Sequence, residues 1–150
     1  MAVQTFKVKT TLKEGVLVET EARGHKVIVD EPKSLGGTDK GMNPVELILA
    51  GLGACQSIVA RTYAKKFDIE FEDFWIELEG DLDTDGFLNK SDVRPGYSTV
   101  RYTIHIQSDA PEEKIEEFIK FVEAHCPVGD TFANVVDLVS AGVVVESTVK

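Results

Sequence analysis

The sequence has little cysteine, one tryptophan and no excess of positive charge. Its 150 residues carry a net charge of −10, two cysteines, no C-x-x-C pair and no Gly-rich phosphate loop. The negative charge argues against nucleic acid and anionic membrane surfaces as partners, because both require a basic face on the protein. Without these motifs, the sequence gives no indication of a C-x-x-C redox site or of a phosphate-binding loop for a nucleotide.

The amino terminus also lacks a secretion signal. Residues 1–10, MAVQTFKVKT, alternate polar and apolar side chains and show no charged stretch followed by an apolar run. We therefore expect a cytoplasmic protein, in which two cysteines are reactive or merely buried rather than a structural staple. The apolar content of 43% and charged content of 28% are typical of a soluble globular protein. The prediction is one domain over residues 1–150.

The longest apolar stretch lies at residues 43–67, NPVELILAGLGACQSIVARTYAKKF. Asn43 is suited to the N-cap of a helix, Pro44 to its first position, and Glu46 to the acidic position of a capping box. No charged side chain occurs over residues 47–60. The pattern predicts a long helix that is apolar on most sides and therefore buried.

Burial of this helix has consequences for assembly. It is predicted to be too short in apolar residues to span a bilayer, and Gln56 and Arg61 interrupt it. One sheet and one other long helix do not cover all its sides. The simplest solution is a homodimer that shares the central helices, and the alternative is a monomer whose sheet wraps round the helix.

The remaining elements follow from periodicity and turn residues. The predicted elements are strands at 6–12, 16–22, 25–30, 69–82, 97–107 and 142–149, loops at 31–42 and 83–96, and helices from Asp109 to about His125 and from Phe132 to about Val136. In the fourth strand the apolar side chains occupy odd positions before Asp73 and even positions after it, and a bulge near Asp73 would explain this change. Asp109 and Glu112 read as a second capping box. This order predicts an α+β domain with an antiparallel sheet.

The two cysteines occupy different settings. Cys55 lies in the middle of the long helix, where the helix dipole does not activate it, so a reactive thiolate there needs a nearby cation or hydrogen-bond donor. Cys126 precedes Pro127, and if it caps a following helix, the free N–H groups favour its thiolate. The alternative for both is inert packing, because free cysteine is among the most buried residue types. A disulfide needs α-carbons within roughly 7 Å, which the sequence does not establish.

Other candidates for chemistry are weaker. Cys55, His105, His125 and Cys126 are zinc-ligand types, but the adjacent pair at 125–126 does not match the usual ligand spacing, and no metal or cofactor is expected. A Cys–His nucleophile pair has no local support.

Three segments carry a family resemblance: GGTDKGMNPVELILAGLGAC at 36–55, RPGYSTVRYTIHIQSDAPEEKIEEF at 94–118 and HCPVGDTFAN at 125–134. In this order they resemble the osmotically inducible protein C and organic hydroperoxide resistance (OsmC/Ohr) family, the thiol peroxidases of bacteria and archaea, and specifically an OsmC-like branch. The resemblance implies the OsmC-like fold and an intertwined homodimer with two central helices packed across the two-fold axis.

The resemblance also implies a chemistry. Cys55 would be the peroxidatic thiol that attacks an organic hydroperoxide or hydrogen peroxide, Cys126 would resolve the sulfenic acid as a disulfide, and an external dithiol would reduce that disulfide. The family activates its thiol with an amino-terminal Arg and a Glu early in the central helix, for which Arg23 and Glu46 are the candidates here. The alternative is a dimeric ligand-binding or structural module without redox chemistry.

This sequence departs from the family pattern at both activating positions. The residue directly after Asn-Pro is Val45, and the acid follows one position later, about 100° round the helix, where Glu46 could serve only as a cap. Arg23 is the only arginine before the central helix, but its spacing to the thiol does not match well, so Arg61 and Arg94 are alternatives.

Overall fold

Two antiparallel sheets and one long helix dominate the computed structural model, which describes residues 1–149. In chain order the elements are β1 (Lys9–Leu12), β2 (Val18–Ala22), β3 (His25–Val29), α1 (Pro44–Tyr63), β4 (Asp73–Leu82), α2 (Thr84–Phe87), β5 (Tyr97–Gln107), α3 (Glu112–Ala124) and α4 (Pro127–Ala133). The sheets are β1-β2-β3 and β4-β5. The predicted α+β class with antiparallel sheets and a long central helix is confirmed.

Helix α1 begins as its sequence predicts. Asn43 Oδ1 accepts a hydrogen bond from the Glu46 backbone N–H, and Glu46 Oε2 accepts one from the Asn43 backbone N–H, each at 2.9 Å. This reciprocal capping box satisfies two of the N–H groups that a helix start leaves free. Pro44 at the first position lacks the N–H that would be orphaned there. A 3₁₀ turn, Ala64–Phe67, extends the helix.

The core forms where α1 meets β4, α3 and α4. Gly53 allows the close approach to β4, because a Cβ at that position would lie 2.8 Å from Leu78 Cδ1. The buried cluster consists of Val59, Ala60, Ala64, Ile69, Phe71, Phe118 and Val122. The other side of α1 is open: the side chain of Ile58 is 67% exposed, and Ile48 is also exposed. One chain therefore buries only part of this apolar helix.

The length of this helix corrects one prediction. The segment Pro44–Phe67 has 24 residues and a mean hydropathy of 1.3 in its most apolar window, which is enough to cross a membrane by length and composition. The prediction that it is too short was wrong, because small apolar residues keep the hydropathy high between the polar ones. Length and apolar composition are weak evidence for a membrane span, because the buried core helix of a soluble protein can have the same length and composition.

Two element boundaries differ from the predictions. The fourth strand begins at Asp73, so the parity shift there marks a strand end instead of a bulge, and the register irregularity lies at 81–82. Helix α3 begins at Glu112 after Pro111, and no side chain caps it. The predicted Asp109 capping box is wrong, because the residue before a proline is disfavoured in the helical conformation.

The carboxyl-terminal elements also differ. Helix α4 occupies Pro127–Ala133 instead of starting at Phe132. Residues 134–149 contain no regular secondary structure, and Val143, Val144 and Val145 are almost fully exposed. The predicted strand at 142–149 is therefore absent from this chain. A strand needs a neighbour for its backbone hydrogen bonds, and none of the described residues supplies one.

Candidate active site

The two cysteines meet where α1 packs against the start of α4. Cys55 is half-buried in the middle of α1, and the side chain of Cys126 is 1% exposed at the N-cap of α4. The Gly129 backbone N–H donates to Cys126 Sγ at 3.3 Å, and Pro127 takes the first helical position. Cys126 therefore caps α4, but the favoured thiolate expected from such a cap is not found, because burial raises the pKa of Cys126. Its thiol satisfies a free N–H of the helix start.

The thiols influence each other. Burial is the largest effect on Cys126 and raises its pKa, the hydrogen bond from Gly129 opposes that rise, and the neighbouring Cys55 raises the pKa further by hydrogen bonding and charge repulsion. Both cysteines are free thiols in the structure. The arrangement is that of two neighbouring thiols, of which the buried member favours its protonated form.

A groove of about 790 Å³ lies between the first half of α1, the start of β5 and α4. Its apolar lining includes Val45, Ile48, Leu52, Leu82, Val100 and Phe132. Gly129 also lines the groove, and a Cβ at this position would lie 3.4 Å from Cys126 Sγ and 3.7 Å from Leu52 Cδ1. Gly129 is therefore the point at which the groove wall comes close to the Cys126 thiol.

The polar side chains that line the groove include Gln56, Tyr102 and Glu123, which lie close together. The Tyr102 hydroxyl donates to Glu123 Oε1 at 2.9 Å. Burial raises the pKa of Tyr102, the hydrogen bond and charge of Glu123 raise it further, and the Gln56 amide lowers it. Gln56 is 2% exposed, and its Oε1 has no hydrogen-bond partner.

The three candidate arginines are in different places. Arg23 occupies the exposed two-residue turn between β2 and β3, with φ 54°, and among residues 1–149 the first sheet makes no extensive contact with the helices. The Arg61 guanidinium lies 3.8 Å from the centre of the Phe71 ring. Arg94 lines the groove. Within one chain only Arg94 shares the groove with Gly129, and the activating role of Arg23 stays a prediction.

Glu46 is exposed and is engaged in the capping box of α1. It precedes Cys55 by nine residues, which places it about 180° round the helix and about 13 Å along its axis. The two side chains therefore do not meet within one chain. The geometry accounts for Glu46 as a helix cap, and its catalytic role stays a prediction.

The potential zinc ligands are not gathered into one site. His105 Nε2 lies 2.7 Å from Glu77 Oε2, and His125 Nδ1 lies 2.8 Å from the Phe121 carbonyl oxygen. Among residues 1–149, no group of three or more His, Cys, Asp or Glu side chains is placed to hold a metal ion.

Sequence reasoning missed the polar side of the groove. The sequence presents Gln56 only as an interruption of the apolar helix and does not single out Tyr102 or Glu123. A signal for Gln56 was present: it is the one amide side chain within the charge-free stretch at 47–60, directly after Cys55. The signal for Tyr102 and Glu123 was tertiary, because they meet across strand β5 and helix α3.

Comparisons with known proteins identify the family of the chain. A family model described as OsmC-like protein matches residues 37–140. A hydroperoxide reductase of Mycoplasma genitalium is 36% identical over 92 residues, which is 61% of this chain and 62% of the relative's length. A hydroperoxide reductase of Mycoplasma pneumoniae is 31% identical over 101 residues, covering 67% of this chain and 69% of the relative.

Solved structures share the fold over most of the chain. An OsmC-like protein from Mycoplasma pneumoniae aligns with a TM-score of 0.78 and 26% identity, covering 88% of this chain and 89% of that one. An organic hydroperoxide resistance protein OsmC from Legionella pneumophila aligns with a TM-score of 0.62 and 23% identity, covering 88% and 91%.

Proposed function

Because the chain belongs to the OsmC-like protein family, we propose that it is a thiol-dependent peroxidase that reduces organic hydroperoxides, built as one domain over residues 1–150. The observation that carries the proposal is the half-buried Cys55 beside the buried free thiol of Cys126, which contacts Gly129 in the wall of an apolar groove. The names of the two Mycoplasma relatives support the same activity.

The proposed cycle has three steps. The Cys55 thiolate attacks the terminal oxygen of the hydroperoxide, so that an S–O bond forms, the O–O bond breaks and the leaving alkoxide takes up a proton to become an alcohol. Cys126 then attacks the sulfur of the Cys55 sulfenic acid, and hydroxide leaves as water with the proton that the Cys126 thiol gives up. An external dithiol reduces the resulting disulfide by thiol–disulfide exchange and is itself oxidised.

The assignment of roles rests on exposure and charge. Cys55 is the more accessible thiol, whereas Cys126 is buried with a raised pKa and is held by the N–H of Gly129. A buried thiol in its protonated form is a poor first nucleophile, because the thiolate is the reactive species. The same thiol is well placed to resolve an oxidised neighbour.

Mass spectrometry of three proteins tests the order. With organic hydroperoxide, the wild type should form one intramolecular disulfide. Cys126→Ser should stop at sulfenic acid on Cys55 and proceed to the sulfinic form as the peroxide increases, because no neighbouring thiol remains to condense with it. Cys55→Ser should leave Cys126 largely unreacted at the same dose.

Two outcomes would count against the proposal. Oxidation of Cys126 at the wild-type rate in Cys55→Ser would mean that the roles are reversed or that the thiols act independently. If neither thiol oxidises faster than a small free thiol, the proposed peroxidase function is refuted, and the alternative is a ligand-binding or structural module.

We also propose that the active form is an intertwined homodimer with α1 at the two-fold interface. The support is the apolar surface that one chain leaves open, both on α1 at Ile58 and in residues 143–145. Exposed apolar patches of this kind mark interaction sites, and a self-complementary patch gives a closed dimer. Free thiols and an external dithiol suit a reducing compartment, so we propose a cytoplasmic location.

Light scattering tests the dimer. The mass should be near twice the 16.5 kDa of one chain. Ile58→Glu should shift the protein to monomer at micromolar concentration, because it places a charge in the apolar interface. Phe87→Glu is the matched control, since Phe87 is 66% exposed but lies in α2 and not on α1. A wild-type monomer would refute the assembly.

A further inference from the structure

Gln56 is the least explained polar side chain of the site. It lies directly after Cys55 in the charge-free part of α1 and is 2% exposed, and among residues 1–149 its Oε1 has no protein partner and no access to solvent. A buried acceptor without a donor is energetically unfavourable, and buried polar groups in native proteins nearly always have a partner. The position therefore calls for a donor that residues 1–149 do not supply.

The surroundings limit what that donor can be. The nearby Tyr102 hydroxyl already donates to Glu123, so its proton is engaged elsewhere. Gln56 lines the groove together with the donor side chains of Arg94, Tyr97 and Thr131, but among residues 1–149 none of these donors is hydrogen-bonded to Oε1. The terminal torsion of glutamine is broad, so the amide can turn toward a bound ligand.

The groove selects the chemical class of the ligand. Its aliphatic and aromatic walls suit an uncharged alkyl or aryl body. A carboxylate or phosphate head could pair with Arg94 in the groove, but it would offer no donor to Oε1. An ether or ester would leave Oε1 unpaired. A ligand with an apolar body and one O–H donor satisfies both features.

We propose that Gln56 is a substrate-positioning residue whose amide oxygen accepts a hydrogen bond from the O–H group of an alkyl or aryl hydroperoxide, and of its alcohol product, bound in the groove beside the two thiols. The identity of the ligand rests on the proposed peroxidase function. The hydroperoxide hydrogen stays on the oxygen that is transferred to Cys55 sulfur, so the same acceptor serves the hydroperoxide and the sulfenic acid. Gln56 itself neither gives nor takes a proton.

Binding of unreactive probes tests this directly. The probes are 2-phenylpropan-2-ol, which has an O–H donor, and its methyl ether, which has the same body and no donor. Reduced wild-type protein should bind the alcohol about fivefold more tightly than the ether, the difference expected for one neutral hydrogen bond. Gln56→Met keeps the length of the side chain, removes the acceptor and should bind both probes equally.

Gln107→Met is the matched control, because Gln107 is an exposed amide on β5, hydrogen-bonded to Glu72 and outside the groove. It should keep the wild-type preference. If Gln56→Met does not fold, the side-chain amide resonances of Gln56 in the wild type decide the matter: the alcohol should shift them and the ether should not. Equal binding of the two probes to the wild type, or an unchanged preference in Gln56→Met, overturns the proposal.

Kinetics separate this inference from the function on which it rests. With cumene hydroperoxide, Gln56→Met should raise KM about fivefold, while the rate of reaction of Cys55 with iodoacetamide, which needs no bound peroxide, stays unchanged. If Gln56→Met weakens the reaction with cumene hydroperoxide and also slows the reaction of Cys55 with iodoacetamide, the change disturbs Cys55 in general and the positioning role is overturned. An alcohol preference in a wild type without peroxidase activity would refute the proposed function and support the hydroxyl-binding site.

Discussion

The half of the molecule that holds the thiols closes its own core, whereas the terminal segments do not. Phe118 and Val122 on α3 are completely buried against α1. Phe6 at the amino terminus is 83% exposed and Val144 near the carboxyl terminus 86% exposed, although both are as apolar as the core residues. Apolar side chains are thus buried in the core of the first region and exposed at the surface of the second. The apolar content of a segment does not by itself predict which of its side chains are buried within one chain.

The largest expected effect comes from the closed half. Phe118→Ala should lower the free energy of unfolding by about 3–5 kcal/mol, because it leaves a cavity in a core that cannot fully collapse. Phe6→Ala is the comparison: it should have little effect on a monomer and a clear effect on a dimer that covers it. Urea unfolding at several protein concentrations measures both. Equal and small effects would break the contrast between the two regions.

Removal of residues 142–149 tests whether the exposed carboxyl-terminal segment contributes to the dimer. The eight residues make no regular structure within the chain, so the truncated protein should keep its helical circular dichroism. It should, however, dissociate at protein concentrations about tenfold higher than the wild type if the segment pairs with a second copy. Sedimentation measures the dissociation. Loss of the helical signal on truncation would show instead that the segment supports the single chain.

The junction between the two regions depends on Asp30, a buried carboxylate at the end of β3. It accepts hydrogen bonds from the side chain and backbone of Thr38 and from the backbone N–H groups of Glu31 and Lys40. The bond from the Thr38 side chain is the largest cause that holds the pKa of Asp30 below its ordinary value, and the backbone donors add to it. Asp30 thereby holds the loop that leads into α1.

The lowered pKa predicts the pH dependence. A depressed folded-state pKa contributes stability above the unfolded value of about 3.9 and loses it as the pH falls through the folded value. Asp30→Asn should lower Tm by several degrees at pH 7 and reduce the loss of stability on acidification. Asp39→Asn, an exposed change in the same loop, should leave the Tm profile unchanged. Equal profiles for the two variants would contradict the role of Asp30.

The smallest expected effect concerns the cation. Arg94→Ala should slow alkylation of Cys55 about threefold near neutral pH, the size of a partly screened charge effect. Arg61→Ala should change it little, because Arg61 lies over Phe71. Arg23→Ala should match Arg61→Ala in a monomer. A larger effect of Arg23 than of Arg94 in the dimer would assign the activating role to the hairpin of a second copy.

Much of the local structure was predictable from residue patterns. The capping residues of α1, the three amino-terminal strands and the alternating strand over 97–107 all follow from period and turn chemistry, which act over a few residues. The predictions failed where the conformation of a segment depends on a neighbouring strand or on a neighbouring residue. The strand at 142–149 has the right composition, but pairing needs a second strand, and the helix start at Asp109 was displaced by the steric effect of Pro111.

The sequence by itself determined the long apolar helix, the two thiols and the family to which they belong, because these depend on residue type and short-range order. Only the tertiary structure decided that Cys55 and Cys126 are neighbours, that Gly129 brings a groove wall close to Cys126, and that the Oε1 atom of Gln56 is buried without a partner among residues 1–149. These features join residues that are far apart in the chain, and their distances depend on how α1 packs against β5 and α4.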